Sequence, residues 1–203
     1  MDEIALVKQA QKGDLDSFNR LVLNYQDAVY NLACRFLSDN DLASDAAQTT
    51  FISAYRNIAQ FRGGSFKAWL MRMVSNACLD ELRRQKRHPS VSLEPISADN
   101  EQEFETPSWL KDDSPDPETA LEMKELEKGI QHCLDQLPNE FKIVVLLVDV
   151  EGLDYSEASQ SIQKPLGTVK SRLARARIKL QECLRGFREL LPAEFRHEGE
   201  ESL

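Results

Sequence analysis

The stretch KPLGTVKSRLARARIKL, residues 164–180, combines cations and hydroxyls with no acid at all. That composition suits contacts to phosphates and bases rather than bond-making chemistry. At 100° per residue from Val169, a helix brings Leu173, Ala176 and Leu180 within about 40° of it, as one dry seam. Ser171, Ala174, Arg175 and Ile178 point the opposite way. Lys170 and Arg177 take one flank, Arg172 and Lys179 the other. Such a helix fits a DNA major groove, with flanks that reach phosphates and with Ser171 and Arg175 able to reach base edges. A merely solvated helix would interleave acids with its bases.

A second cationic face comes from about 65–86. There Phe66, Trp69, Leu70, Met73 and Ala77 share an apolar arc, leaving Arg72, Ser75, Asn76, Leu79 and Arg83 on the other side. Just before it, Phe61, Arg62, Gly63, Gly64 and Ser65 form a glycine-bearing segment suited to holding an unstacked base. In the helical pattern of about 41–58, Ala47, Phe51, Ala54 and Ile58 make the core stripe. Asp45, Thr49, Ile52 and Arg56 face away, with Gln48 on the border. An outward isoleucine beside an acid and an amide is what a docking face offers, although lone apolar residues are common on surfaces.

The elements that position these faces are helical. Residues 141–150 (FKIVVLLVDV) are apolar enough for a buried helix, though the β-branched run alone also fits a strand. Asp154 followed by Glu157 makes a capping-box start for SEASQSI, and 163–166 with Pro165 makes a turn. Two short helices about a tight turn, the second basic, form a helix-turn-helix. Upstream, helical pattern fills 1–88 with breaks at Gly13, around 38–41, and at Gly63 and Gly64. Residues 89–117 change character, with five prolines, many acids and few aliphatics, and read as a flexible acidic linker. Helical pattern resumes near Glu118 and runs to about Leu191, and 192–203 form an acidic tail. The expected fold is therefore all-α, with two small helical domains, 1–88 and 118–191, on either side of a linker.

A net charge of −9, evenly spread, would oppose nucleic acid, but it is unevenly spread. Residues 62–88 hold seven Lys or Arg against Asp80 and Glu81, and 164–188 hold eight against Glu182. Residues 89–118 reverse this, with nine acids against Lys111. Local fields decide contacts because screening acts over about 8–10 Å. No apolar run approaches the roughly 20 residues of a bilayer span, and MDEIALVKQAQKGD lacks a secretion pattern. A cytoplasmic protein without membrane insertion is expected. Cysteines 34, 78, 133 and 183 form no CxxC pair, and histidines 88, 132 and 197 give no ligand spacing with them. They read as reduced packing cysteines, with no metal and no cofactor.

The string DAAQTTFISAYRNIAQFRGGSFKAWLMRMVSNACLDELRRQKR resembles region two of an extracytoplasmic-function sigma factor of bacterial RNA polymerase. LPNEFKIVVLLVDVEGLDYSEASQSIQKPLGTVKSRLARARIKL resembles region four, and KQAQKGDLDSFNRLVLNYQDAVYNLACRFL is similar to the start of region two. The resemblance implies a dissociable polymerase subunit that recognises promoters and helps open them, of a stress- or signal-responsive regulon. It implies contacts to the clamp and flap of core RNA polymerase, to promoter DNA, and to an anti-sigma factor. It places Asp45, Gln48 and Ile52 against the clamp. It places Gly63, Gly64, Ser65, Lys67, Arg72, Ser75, Asn76 and Arg83 at the minus-ten element. Thr168, Lys170, Ser171, Arg172, Ala174 and Arg175 fall at the minus-thirty-five element. The chain departs from the family's habit at Thr49, where an acid is usual, in its short loop after Phe61, and at Ala158 and Ser159, where Ile-Ala is usual.

Two other classes are weighed against this. A conventional regulator with an N-terminal sensing domain leaves the second basic unit and its glycine loop without a purpose. An enzyme acting on nucleic acid lacks support, since the sequence carries no Walker loop, zinc spacing or nucleophile elbow. A non-enzymatic role is expected. The acidic linker, with Asp99, Glu101, Glu103 and Glu105, is either a solvated tether or a nucleic-acid mimic for the polymerase's RNA path.

Overall fold

The computed structural model describes residues 2–87 and 117–191, and every regular element among them is helical. The expectations for the linker acids and the terminal tail lie outside the described residues, except that Pro117 opens a helix instead of closing the linker.

Each start in the first unit follows from a short acid or hydroxyl ahead of an apolar pattern. Helix α1 (Glu3–Gln11) is capped by Asp2, whose side chain accepts from the Ile4 N–H. Helix α2 (Leu15–Leu37) is capped by Asp14 and α3 (Asn40–Asn57) by Asp39. Before α4 (Phe66–Arg87), the Ser65 hydroxyl accepts from the Ala68 N–H at 3.0 Å. Helix α2 ends where Ser38 turns left-handed at φ 57°, its N–H donating to the Cys34 carbonyl. The break before α4 runs through Gly63 and Gly64 at φ 101° and 89°, values a side chain would strain. The Gln11 amide donates to the carbonyls of Ile58 and Phe61, tying this loop to α1.

The second unit comprises α5 (Pro117–Asp135), α6 (Asn139–Val145), a π-helical turn (Leu146–Val150), α7 (Tyr155–Ile162) and α8 (Leu166–Leu184). A 3-10 turn, Arg185–Leu190, follows. The strand alternative for 141–150 is gone, because Ile143, Val144, Val145, Leu146 and Leu147 are buried on successive helical faces. The capping box is present as expected: Asp154 accepts from the Glu157 N–H while Glu157 accepts from the Asp154 N–H. Gln163 closes α7 in a left-handed conformation and Pro165 precedes α8.

The two units do not sit apart. Their buried residues form one continuous cluster, with α4 packed on α7 and α2 against α5 and α6. At the C-terminal end of α2, the Lys142 ammonium donates to the Phe36 carbonyl at 3.0 Å, the Ser38 hydroxyl at 3.3 Å and Asp135 at 2.6 Å. Beside it the Gln131 amide donates to the Arg35 carbonyl, Ser38 and Asp135. A second polar contact joins Lys67 to the backbone carbonyl and carboxylate of Glu151, at 2.6 and 3.1 Å.

The cysteines correct the sequence reading. Cys133 in α5 and Cys183 in α8 form a disulfide across 50 residues, while Cys34 and Cys78 are free and buried. Spacing could not show this, because only the packing of α5 on α8 brings the two last turns together. Among the described residues no helix is long and apolar enough to cross a membrane, and no three His, Cys, Asp or Glu side chains are grouped to hold a metal.

Candidate nucleic-acid interface

Helix α8 owes its orientation to Val169, Leu173 and Ala176, at 0%, 2% and 0% exposure, which seat it on α6 and α7. Leu180 extends the seam half-buried. The opposite face is therefore fixed outward, with Lys170, Ser171, Ala174 and Arg175 exposed and Thr168 and Arg172 half-buried. The angular reading of this helix agrees with its observed burial.

The flanks are more organised than the sequence suggests. Arg172 pairs with Glu140 at 2.5 Å, and Arg177 grips both oxygens of Asp149. Lys170 stands 5.7 Å from the centre of the Tyr155 ring, within cation–π range. The Ser171 hydroxyl donates to the Thr168 carbonyl and keeps its acceptor lone pairs. Among the described residues no hydrogen bond or ion pair holds Arg175. Its five donors stay available for a guanine edge or a phosphate. Exposed pairs such as these exchange readily for phosphate, since each contributes about 0–1 kcal/mol.

In the first unit Gly63, Gly64, Ser65, Arg72, Asn76 and Arg83 are exposed as expected, and Arg83 pairs with Asp80 at 2.7 Å. Two residues differ. Ser75 is fully buried and donates to the Met71 carbonyl at 2.6 Å, so it does not belong to the outer face. Lys67 is half-buried against Glu151 of the second unit. Both follow from one cause. Helix α4 is covered by α2, α3 and also α7, so its buried arc widens to include Met71, Val74 and Cys78, each at 0% exposure. A pattern counted from one side of a helix misses that second cover. Phe61, Phe66 and Trp69 cluster with ring centres 5.4–5.5 Å apart, a rigid apolar floor beneath the glycine loop.

On α3, Asp45, Gln48 and Ile52 are exposed along one face, and Ala43, Ala46, Ala47, Thr50 and Ala54 are buried behind it. Tyr55, which sequence reasoning missed, extends this face at 45% exposure and packs edge-on to Phe18 at 5.1 Å. Its signal was available: Tyr55 lies three residues beyond Ile52, one helical turn along the same face.

Known proteins resemble the chain over most of its length. The family model "Sigma-70 region 2" matches residues 21–88. The model "Sigma-70, region 4" matches 116–180. RNA polymerase sigma-H factor of Pseudomonas aeruginosa is 37% identical over 88% of this chain and 92% of its own length. ECF RNA polymerase sigma-E factor of Haemophilus influenzae is 38% identical over 85% and 90%. In fold, the chain is similar to CnrH, solved in complex with the cytosolic domain of CnrY, with a TM-score of 0.64, 24% identity, and coverage of 91% of this chain and 97% of that one. It is also similar to the sigma factor RpoE of Bartonella quintana, solved with the anti-sigma factor NepR, at a TM-score of 0.63, 24% identity, and 84% and 98% coverage.

Proposed function

The chain belongs to the extracytoplasmic-function sigma factors of the sigma-70 family, and from that premise we propose how its two helical units divide the work. As an RNA polymerase sigma factor it directs promoter recognition and transcription initiation. The α8 face of Thr168, Lys170, Ser171, Arg172, Ala174 and Arg175 reads the upstream element in the major groove. Gly63, Gly64, Ser65, Lys67, Arg72, Asn76 and Arg83 hold the minus-ten element and lower the cost of unstacking a base there. Asp45, Gln48 and Ile52, with Tyr55, dock on the polymerase clamp, and the second unit meets the flap. The chain performs no bond-making itself; the polymerase is the catalyst, and the site of action is the cytoplasm where that polymerase works. The domains extend over 1–88 and 118–191.

The observation that carries this reading is the order of the parts in one chain: a helix with Asp45, Gln48 and Ile52 exposed, a glycine loop with a cationic helix, then a helix-turn-helix whose second helix holds no acid before Glu182. The compact arrangement adds a condition. With Lys67 engaged by Glu151, part of the minus-ten surface is occupied by the second unit. The units therefore part before both promoter elements are gripped, and an anti-sigma partner acts by holding them closed. Run-off transcription with bacterial core polymerase on genomic fragments tests the role. The chain should create new start sites, and an unchanged transcript pattern refutes it.

A further inference from the structure

Cys133 lies in the last turn of α5 at 1% exposure, and Cys183 lies half-buried in the last turn of α8. Their Cα atoms are 5.7 Å apart, and the bond closes a 50-residue loop containing α6, α7 and nearly all of the reading helix. Phe187 of the following 3-10 turn folds back on α5, so that a Cβ on Gly129 would lie 2.9 Å from its ring, and it meets His132 edge-on at 5.8 Å. Cys183 is the less buried of the two and so the more accessible to a small thiol.

The other two cysteines are of a different kind. Burial raises the Cys34 thiol and pushes Cys78 up to about 12, so both stay protonated and inert in the core. The last turn of α5 also carries Gln131 and Asp135, which flank Cys133 and grip the C-terminal end of α2. The bond thus ties the reading helix to the turn that holds the first unit. A disulfide matters in a unit this small, because its own core is marginal. In a compartment of reduced thiols such a bond is usually transient and redox-sensing; this step alone rests on the proposed role beside RNA polymerase.

We propose that Cys133 and Cys183 form a reversible thiol–disulfide couple, set by small-molecule thiols and disulfides of the glutathione type, that controls how firmly the DNA-reading unit is held together and against the first unit. In oxidation, the Cys183 thiolate attacks the small disulfide and expels one small thiolate. The Cys133 thiolate then attacks the mixed disulfide at Cys183 Sγ and expels the second. Two electrons and two protons pass from the cysteines, yielding two small thiols, and reduction is the reverse exchange.

Full-length protein equilibrated at graded ratios of reduced to oxidised glutathione, acid-quenched, unfolded and labelled with a maleimide tests the couple. Labelling should change from four thiols to two between the reducing and oxidising limits. Amide exchange in 123–137 and 176–190 should rise more than about tenfold on reduction. The thermal midpoint should fall by about 10 °C or more. Cys183→Ser should take three labels at every ratio and exchange like the reduced protein. A bond that survives the reducing limit, thiols that persist at the oxidising limit, or interconversion without any change in exchange each overturns the proposal. Neither polymerase nor promoter is present, so failure here is separate from failure of the sigma-factor reading.

Discussion

Lys142→Met tests whether the polar cluster at the end of α2 holds the two units together. The ammonium is 4% exposed and makes three contacts, of which Phe36 and Ser38 belong to the first unit. Ser38 and Asp135 keep each other and the Gln131 amide after substitution, so the Phe36 carbonyl is the group left without its donor. A hydrogen bond from a charged donor contributes about 1.5–3 kcal/mol, part of which is returned when the buried charge is replaced by a methionine of similar length. A net loss of about 2 kcal/mol at the interface is a shift of about thirtyfold toward the open form. Small-angle scattering of the full chain should show a larger radius, and calorimetry should resolve two transitions in place of one. The chain should also bind an isolated upstream-element duplex more tightly. Equal compactness and a single transition would refute the reasoning.

The same lysine sets a pH dependence. Burial pulls its pKa below the usual lysine value, against the opposing pull of Asp135. The folded chain then binds fewer protons than the unfolded chain between the two values, so this group's contribution to stability rises as pH climbs through that window. Wild type minus Lys142→Met stability, from urea melts, should shift in favour of wild type on the alkaline side and stay flat at lower pH. Arg175→Ala should cost about 1–3 kcal/mol on one upstream sequence and far less on scrambled DNA; equal losses in a fluorescence titration would reduce it to a phosphate contact. Asn76→Ala should preserve polymerase binding and impair opening, seen as lost permanganate reactivity of promoter thymines. Asp45→Arg should block co-purification with core polymerase, and normal recovery would remove α3 as the docking face.

Much of the molecule was legible in the residues because local rules and tertiary packing agree there. The capping box at Asp154, the breaks at Gly13, around 38–41 and before α4, and the dry seam of α8 depend on neighbours within a turn or two, and all appear where expected. The exposed face of α3 follows from the same periodicity. What periodicity supplies is a direction for each side chain relative to its own helix.

Only the tertiary structure decided what stands on the far side of each helix. Ser75 is buried because α4 is packed by α2, α3 and α7, and Lys67 is occupied by Glu151, in a unit more than sixty positions away in sequence. Cys133 meets Cys183, and Lys142 meets the Phe36 carbonyl, for the same reason. These are contacts of high sequence separation between surfaces that each look adequate alone. The amino-acid pattern determined the helices, their caps and the reading face. How the units close on one another, and which polar groups that closure buries, was settled by packing in three dimensions.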